Sequence, residues 1–205
     1  VLVFHAVVLS RFAYWTQPIG WLLAVAMAGG TAAALTVLLG RVGIGRRTQG
    51  TVDALTYYPE LRVLETSVRL ESGWPGHDAG QFAFVTSTGN EGPHPYTIAS
   101  AWNPDERRVV FITKALGDHT SKLHDRLVVG TPVTVEGPYG CFDFGDRHPR
   151  QIWIGAGIGV TPFIARMKQL ALTPGEQSID LFHPTAEFEQ AAIDKLSADA
   201  RAANV

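Results

Sequence analysis

The segment from His94 to Thr97 combines side-chain types that can hold a flat, polar ligand. Alternate residues of a β-strand share a face, so His94 and Tyr96 would present a hydrogen-bond donor and an aromatic platform to the same side. Thr97 adds a hydroxyl group next to the plane of the ring. Aromatic and threonine residues are also ordinary strand material, so further residues are needed to define a site.

A second polar segment, from Lys114 to Thr120, is suited to an anion. Residues 121–127 are compatible with a helix, which Asp118 or Thr120 could cap. The N-terminal amides of that helix and the Lys114 ammonium group would then be available to an anion such as a pyrophosphate. The alternative is plain N-capping beside a solvated lysine.

Two glycine-rich turns bring backbone close to a ligand or form tight corners. The first is Gly137-Pro138-Tyr139-Gly140, and the second follows an apolar strand and contains Gly155, Gly157, Gly159, Thr161 and Pro162. Glycines let backbone approach phosphates, the helix that follows supplies the positive end of its dipole, and proline suits a first helical turn. The second turn departs from the G-x-G-x-x-G fingerprint, because a Thr-Pro helix start replaces the third glycine.

The elements that must position these residues begin after Gln49. Short β-rich runs separated by turn signals occupy residues 60–70, 81–86, 95–101, 108–114 and 131–136. Closely spaced strands of this kind predict an antiparallel β-barrel. From Gln151 a strand, a glycine turn, a helix, a strand and a helix follow one another, which predicts the start of a parallel α/β sheet.

Residues 18–40 carry no charged side chain and are long enough to cross a bilayer as a helix. Trp15 and Trp21 stand where an interfacial aromatic belt would lie, and arginines follow the run at positions 41, 46 and 47. By the positive-inside rule its C-terminal end, and everything beyond, would be cytoplasmic. The alternative is a buried helix of a soluble protein.

Residues 1–10 resemble the end of an earlier spanning helix, with His5 as an ionisable residue at membrane depth. Histidine is a common axial ligand of haem iron, so His5 is a candidate metal ligand, or else an interfacial residue. The chain starts inside an apolar run without an initiator methionine, which indicates a piece of a longer protein.

Composition limits the function classes. The formal net charge is −2 and the isoelectric point is near 6.4, so a nucleic-acid partner has no electrostatic support. The single cysteine, Cys141, excludes an intramolecular disulfide and is expected to be a small packed residue. The histidines at positions 77, 119, 124, 148 and 183 fall in predicted loops or caps and are expected at the surface.

The motifs above, together with Gly80-Gln81-Phe82, occur in one order along nearly the whole chain. Taken together they resemble the ferredoxin-reductase-type flavoproteins. The His-Pro-Tyr-Thr form behind a membrane helix is similar to the ferric reductase and NADPH oxidase branch, and the overall pattern resembles the bacterial predicted ferric reductases.

The resemblance implies a role for each matching position. Tyr96 would lie against the isoalloxazine ring of FAD and Thr97 would hydrogen-bond near flavin N5, as the catalytic pair. His94 and Lys114 would face the pyrophosphate. The resemblance assigns Pro95, Gly117, Thr120, Gly137 and Tyr139 to the same FAD site, and Gly155, Gly157, Gly159, Thr161 and Pro162 to the phosphates of NADPH or NADH. Soluble relatives usually carry arginine where His94 stands. In the segment 182–185, which follows the second strand of the α/β part, His183 is the one basic residue, which leaves the choice between NADPH and NADH open.

The implied protein is a membrane-bound oxidoreductase that passes electrons from NAD(P)H through FAD to b-type haem in the membrane, and then to ferric iron or another acceptor. It would lie in the bacterial inner membrane, in contact with lipid, with its FAD and NAD(P) domains in the cytoplasm. Alternatives are an NADPH-oxidase-type producer of superoxide from oxygen, a haem-free membrane-anchored flavin reductase, or a non-catalytic flavin-binding subunit.

The expected organisation has three parts. Residues 1–47 would be the end of a transmembrane region, with a partial helix at 1–10 and a full helix at 18–40. Residues 48–149 would form the FAD-binding barrel, and residues 150–205 a truncated NAD(P)-binding α/β domain. Because that domain lacks its later strands, this piece alone is expected to be inactive.

Overall fold

A computed structural model describes residues 17–87, 92–145 and 148–205 of the chain. The chain divides into two compact units, which meet in the sequence between Ile44 and Gly45. The predicted partial helix at residues 1–10, with His5, and also Trp15 lie outside the described residues. Each unit is described by itself below.

The first unit contains helix α1, which spans Pro18–Leu38. The sequence predicted this helix over residues 18–40. Pro18 stands in its first turn, where a missing N–H costs no intrahelical hydrogen bond. Its end is a Schellman motif, because Gly40 takes φ +62° and the Arg41 and Gly40 amides donate to the Thr36 and Val37 carbonyls. By length and composition α1 could cross a membrane, and its most apolar stretch is not buried.

The second unit begins with a six-stranded antiparallel sheet. Its strands are β1 Arg47–Tyr58, β2 Val63–Leu70, β3 Phe82–Thr86, β4 His94–Thr97, β5 Arg108–Lys114 and β6 Pro132–Tyr139, in the spatial order β4-β3-β6-β1-β2-β5. Between β5 and β6 lie two single-turn helices, α2 Asp118–Ser121 and α3 Leu123–Arg126. Strand β5 has the predicted bounds, whereas β1 was not predicted.

The sheet curls but is not a closed barrel, so the barrel prediction is corrected on this point. Strand β4 has only four residues, and its Pro95 has no amide hydrogen to donate to a ladder. Its free edge meets β5 at one isolated bridge, between Ile98 and Phe111, supported by a hydrogen bond from the Ala99 amide to the Val110 carbonyl. The two outer strands therefore touch without forming a full ladder.

The inside of the curl is an apolar core. Residues that alternate along the strands supply it, and they include the almost fully buried Val52, Val68, Ile98, Phe111 and Val135. Burial of such side chains contributes roughly 1.5–3 kcal/mol each, which fixes the register of the strands. The core therefore holds β4 and β5, the strands with the candidate residues, in place.

The α/β part follows the sheet. It consists of β7 Arg150–Ile154, a 3₁₀ turn Gly157–Val160, α4 Thr161–Leu172, β8 Ser178–Phe182 and α5 Gln190–Ala202. Strands β7 and β8 pair in parallel, as predicted. Trp153, Phe163 and Phe144 pack together, with ring centroids 5.2–5.8 Å apart, so the segment after β6 is anchored on this second core.

Candidate functional site

The edge strand β4 carries a cluster of aromatic rings. His94 and Tyr96 lie on the same face, half-buried. The imidazole of His119 in α2 stacks on that of His94, with centroids 3.7 Å apart and planes inclined by 12°. Its Nε2 lies 3.0 Å from the Tyr96 hydroxyl oxygen, and Phe111 packs against the Tyr96 ring. The structure thus brings the predicted pair together and adds His119, which was wrongly expected at the surface.

Thr97 and Lys114 lie on the other side of the sheet from this cluster. Tyr96, Phe111 and Thr113 line one small cavity of about 20 Å³, whereas Lys114 lines a different cavity of about 100 Å³. Successive side chains of a strand point to opposite faces, which separates Thr97 from Tyr96 and Lys114 from Thr113. The four residues expected around one cofactor are therefore divided between the two faces of the sheet, on its two outer strands β4 and β5.

Lys114 forms an ion pair with Glu187, which follows β8. The Arg62 guanidinium adds a longer contact of 3.5 Å to the other carboxylate oxygen. The hydrogen bond from Lys114, followed by the charges of both cations, lowers the pKa of the Glu187 carboxyl. A phosphate that bound Lys114 would have to displace the Glu187 carboxylate or bind Lys114 together with it. Local sequence does not reveal that Glu187 competes for Lys114.

The loop between β5 and α2 is fixed by Thr120. Its hydroxyl oxygen accepts hydrogen bonds from the Leu116 and Gly117 amides, at 3.0 and 3.1 Å. The N-cap position is Gly117, so the prediction that Asp118 or Thr120 occupies it is wrong. Because α2 has only four residues, its dipole supports no anion site of its own.

The turn Gly137–Gly140 closes β6 against β3. Tyr139 donates from its hydroxyl to Glu136, and burial together with that carboxylate raises the pKa of the phenol. The Arg46 guanidinium lies 5.1 Å from the centre of the Tyr139 ring and donates to the Pro138 carbonyl. These contacts make the turn a tight corner in which the Arg46 guanidinium lies over the Tyr139 ring.

Cys141, which follows the turn, is exposed, contrary to the expectation of a packed residue.

The second glycine turn has a packed part and an open part. A Cβ on Gly155 would lie 2.8 Å from the Val160 Cα, so only glycine fits there. Thr161 is also buried, and its hydroxyl donates to the Ile158 carbonyl. A Cβ on Gly157 or Gly159 would meet no heavy atom within 4 Å. The space for a phosphate is therefore over these two glycines, and helix α4 starts at Thr161 with Pro162 in its first turn, as predicted.

The loop after β8 covers part of this turn. Its Phe182 and Pro184 carbonyls accept the Gly155 and Gly157 amides, and the Gly159 amide donates to the Ala156 carbonyl. The glycines therefore offer close approach rather than free amide donors. His183, the candidate reader of the nucleotide, donates from Nδ1 to the Gly155 carbonyl over 2.6 Å, since a carbonyl can only accept.

One histidine expected at the surface is buried, which corrects that prediction. His77 is 8% exposed. Its Nδ1 accepts the Trp74 indole N–H at 3.3 Å, and its Nε2 lies 3.0 Å from the Ser100 carbonyl, so Nε2 carries the proton. Burial lowers the pKa of this imidazole from 6.5 to about 4. Besides His77 and His119, three more histidines were expected at the surface. His148 is exposed as expected, while His124 and His183 are half-buried.

The cavity of about 100 Å³ joins the sheet to the glycine turn. Ile112 and Lys114 line it from β5, and Gly157 and Ile158 line it from the turn. Lys195 of α5 closes one side through contacts of 2.6 Å to both carboxylate oxygens of Glu65 in β2. The cavity therefore lies between the end of β5, where Lys114 pairs with Glu187, and the open glycine backbone at Gly157.

These residues fit a flavin with a phosphate tail in chemical type. A half-buried tyrosine ring offers a platform, Lys114 offers a cation, and a Cβ on Gly117 would again meet only open space. Groups of three or more side chains that could hold a metal ion are not found in the part of the chain that the structure describes.

An antiparallel sheet followed by a strand, a glycine turn and a helix is the fold of a ferredoxin-reductase-type FAD-binding domain with the start of a nucleotide-binding domain. Comparison with known proteins gives the particulars. Residues 51–142 match the family described as FAD-binding domain. Ferric reduction oxidase 5 from Arabidopsis thaliana is 35% identical over 92 residues, which are 43% of this chain and 13% of that protein.

Two solved structures share the fold. The flavohemoglobin from Malassezia yamatoensis, with bound FAD and heme, matches with a TM-score of 0.62 at 21% identity, over 76% of this chain and 43% of that chain. The FAD/NAD-binding domain of nitric oxide dioxygenase from Vibrio cholerae matches with a TM-score of 0.60 at 18% identity, over 75% of this chain and 70% of that chain. The solved structures share the fold of this chain, and its residues 51–142 match the FAD-binding family and are similar to part of the ferric reduction oxidases.

Proposed function

We propose that the protein is a membrane-bound oxidoreductase that passes electrons from NADPH or NADH through FAD to b-type haem in the membrane, and then to ferric iron or another acceptor. The observation that carries the proposal is that the candidate FAD-binding residues lie within the stretch of sequence that matches the FAD-binding family. The stretch that matches the FAD-binding family contains the ring-bearing strand β4, the end of β5 with Lys114, and the turn Gly137–Gly140.

The chain's own residues would bind and orient the flavin. When bound, FAD would supply the conversion of two-electron hydride chemistry into single-electron transfer. The Tyr96 ring would lie against the flavin with His94 beside it, and the Thr97 hydroxyl would offer a hydrogen bond at the edge of the strand. Lys114 would pair with phosphate oxygens in place of Glu187, and Pro95, Gly117, Thr120 and Tyr139 would shape the surrounding backbone.

The nicotinamide dinucleotide would bind at the second glycine turn. The open space over Gly157 and Gly159 supports this placement, since a phosphate can reach backbone there without meeting a side chain. Gly155, Thr161 and Pro162 would act indirectly, because they hold the turn and start α4. The proposed domains, 48–149 for FAD and 150–205 for the dinucleotide, contribute opposite walls of the cavity of about 100 Å³.

The membrane part of the proposal rests on α1 and on the resemblance. A helix of 21 residues spans about 30 Å, the thickness of a bilayer core, and large apolar side chains such as Trp21, Leu22 and Val25 are exposed on it. Arginines at positions 41, 46 and 47 would then place the FAD and dinucleotide domains in the cytoplasm. Residues 1–47 would be part of the haem-bearing region, with His5 as a candidate ligand.

The test is reduction of the full-length protein in membranes, without oxygen. Addition of NADPH or NADH should bleach the yellow flavin absorbance and then shift the haem Soret band. A stable yellow colour would contradict turnover and favour a binding-only subunit. Bleaching without any Soret band would favour a haem-free flavin reductase. Assays of iron reduction against superoxide release would identify the acceptor.

A matched pair of lysine variants tests the flavin site itself. Lys114→Ala should weaken FAD binding, because it removes a half-buried cation at the strand end. Lys122→Ala removes an exposed lysine eight positions further along the chain and should leave FAD binding unchanged. Equal affinities in both variants would contradict the assignment of Lys114 to the phosphates.

A further inference from the structure

His119 contacts both residues of the candidate flavin platform at once. Its imidazole stacks on His94 with ring centroids 3.7 Å apart, and its Nε2 shares a hydrogen bond of 3.0 Å with the Tyr96 hydroxyl. The three side chains come from two elements that are separated in the sequence, β4 and α2. The hydrogen bond fixes where the hydroxyl end of the Tyr96 ring lies, and the stacked imidazole rings place His94 beside it.

The Tyr96 ring also lies close to two other aromatic rings. Phe111 packs against the ring at a centroid distance of 6.2 Å and an angle of 57°, and the His94 ring lies 6.5 Å away. Aromatic contacts of this kind tolerate small displacements of the ring, whereas a hydrogen bond specifies the position of the hydroxyl group more closely.

The position of His119 is itself fixed by its own loop. Thr120, its neighbour in α2, accepts hydrogen bonds from the amides of Leu116 and Gly117. The Gly117 carbonyl also accepts the Ser121 amide, which closes the single helical turn. The turn that carries the imidazole is therefore held from both ends.

We infer that His119 is a positioning residue for the flavin: it holds the hydroxyl end of the Tyr96 ring at the place from which the ring can stack on the isoalloxazine. The inference rests on the proposed function, since it needs FAD to bind at β4. It adds to that proposal a residue that acts through Tyr96 and does not touch the cofactor.

The experiment is a double-mutant cycle on the full-length protein in detergent, with FAD as the probe. FAD affinity and the quenching of flavin fluorescence are measured for wild type, His119→Ala, Tyr96→Phe and the double variant. His119→Ala should weaken FAD binding about fivefold, the worth of one hydrogen bond, and bound flavin should fluoresce more brightly. In the Tyr96→Phe background, which lacks the hydroxyl, the same change should weaken binding less than about twofold.

Two further variants separate positioning from folding. His119→Gln keeps an amide at the place of Nε2, so it should restore most of the affinity. His124→Ala is the matched control, because it removes a histidine stacked on another tyrosine, Tyr57, at 4.4 Å, and it should leave FAD binding unchanged. If His119→Ala does not fold, the comparison of His119→Gln with wild type in both Tyr96 backgrounds decides instead.

Two results would overturn the inference. One is an equal loss of affinity from His119→Ala with and without the Tyr96 hydroxyl, and the other is a failure of His119→Gln to recover binding. Wild-type protein that takes up no FAD would instead refute the proposed function. Wild-type binding together with unchanged binding in every His119 variant would refute only the role of His119.

Discussion

Acidification should destabilise the fold through His77. This imidazole is neutral in the folded chain, with a pKa lowered from 6.5 to about 4 by burial, against an opposing effect of the Ser100 carbonyl. Protonation would also put a proton on Nδ1, which accepts the Trp74 indole N–H. In the unfolded chain the same ring is free to bind a proton near pH 6.5.

The sign follows from this difference. Between pH 6.5 and pH 4 the unfolded state binds the proton and the folded state does not, so stability falls as the pH falls. One pKa unit corresponds to about 1.4 kcal/mol, so the loss over this window is about 3 kcal/mol. Above pH 6.5 the contribution of His77 is fully present and does not change.

The assay compares urea unfolding of wild type and His77→Gln across this window. Glutamine cannot be protonated, so the variant should lack about 3 kcal/mol of the pH dependence, although it starts less stable. NMR titration of the histidine rings checks the cause directly, because the His77 signal should not move above pH 5. A His77 signal that moves near pH 6.5, or equal pH dependence in both proteins, would refute the reasoning.

Three further changes test other parts of the structure. Gly159→Ala adds a methyl group in open space, so the free energy of unfolding should change by less than about 0.5 kcal/mol while NADPH affinity in calorimetry falls; unchanged affinity would contradict a phosphate there. Gly80→Ala, at φ +95° and with its Cβ 2.1 Å from the Phe142 carbonyl oxygen, should cost about 2 kcal/mol in urea unfolding, and a neutral result would contradict the packing. Glu187→Gln releases Lys114, so FAD affinity in fluorescence titration should rise about threefold, and this gain should disappear in a Lys114→Ala background.

The sequence predicted those strands and helices that neighbouring residues alone specify. The strand over Arg108–Lys114 is a continuous run of β-forming residues, and the start of α4 is marked by Thr161-Pro162. Strand β1 was missed because Gly50 and Asp53 interrupt its pattern. Gly50 is explained only by its partner strand, since a Cβ there would lie 2.8 Å from the Val68 side chain.

The sequence predicted the part of the site that follows from the two-residue period of a β-strand. His94 and Tyr96 share a face because the period of a strand is two residues. His119 joins them across 23 positions of sequence, and Glu187 reaches Lys114 across 73, so both contacts depend on the tertiary fold. Closure of the barrel likewise depends on whether β4 and β5 pair along their length, and the lengths of the predicted strands do not determine that pairing.

The exposed thiol of Cys141 gives the protein a natural attachment point. It is the single cysteine of these 205 residues, so a maleimide dye would label one known position of this chain without any substitution. The labelled residue follows the corner at Gly140, which lies against Phe82, and precedes Phe142, whose carbonyl lies against Gly80. A dye at this position would report, through changes in its emission, whether that corner moves when each nucleotide is added.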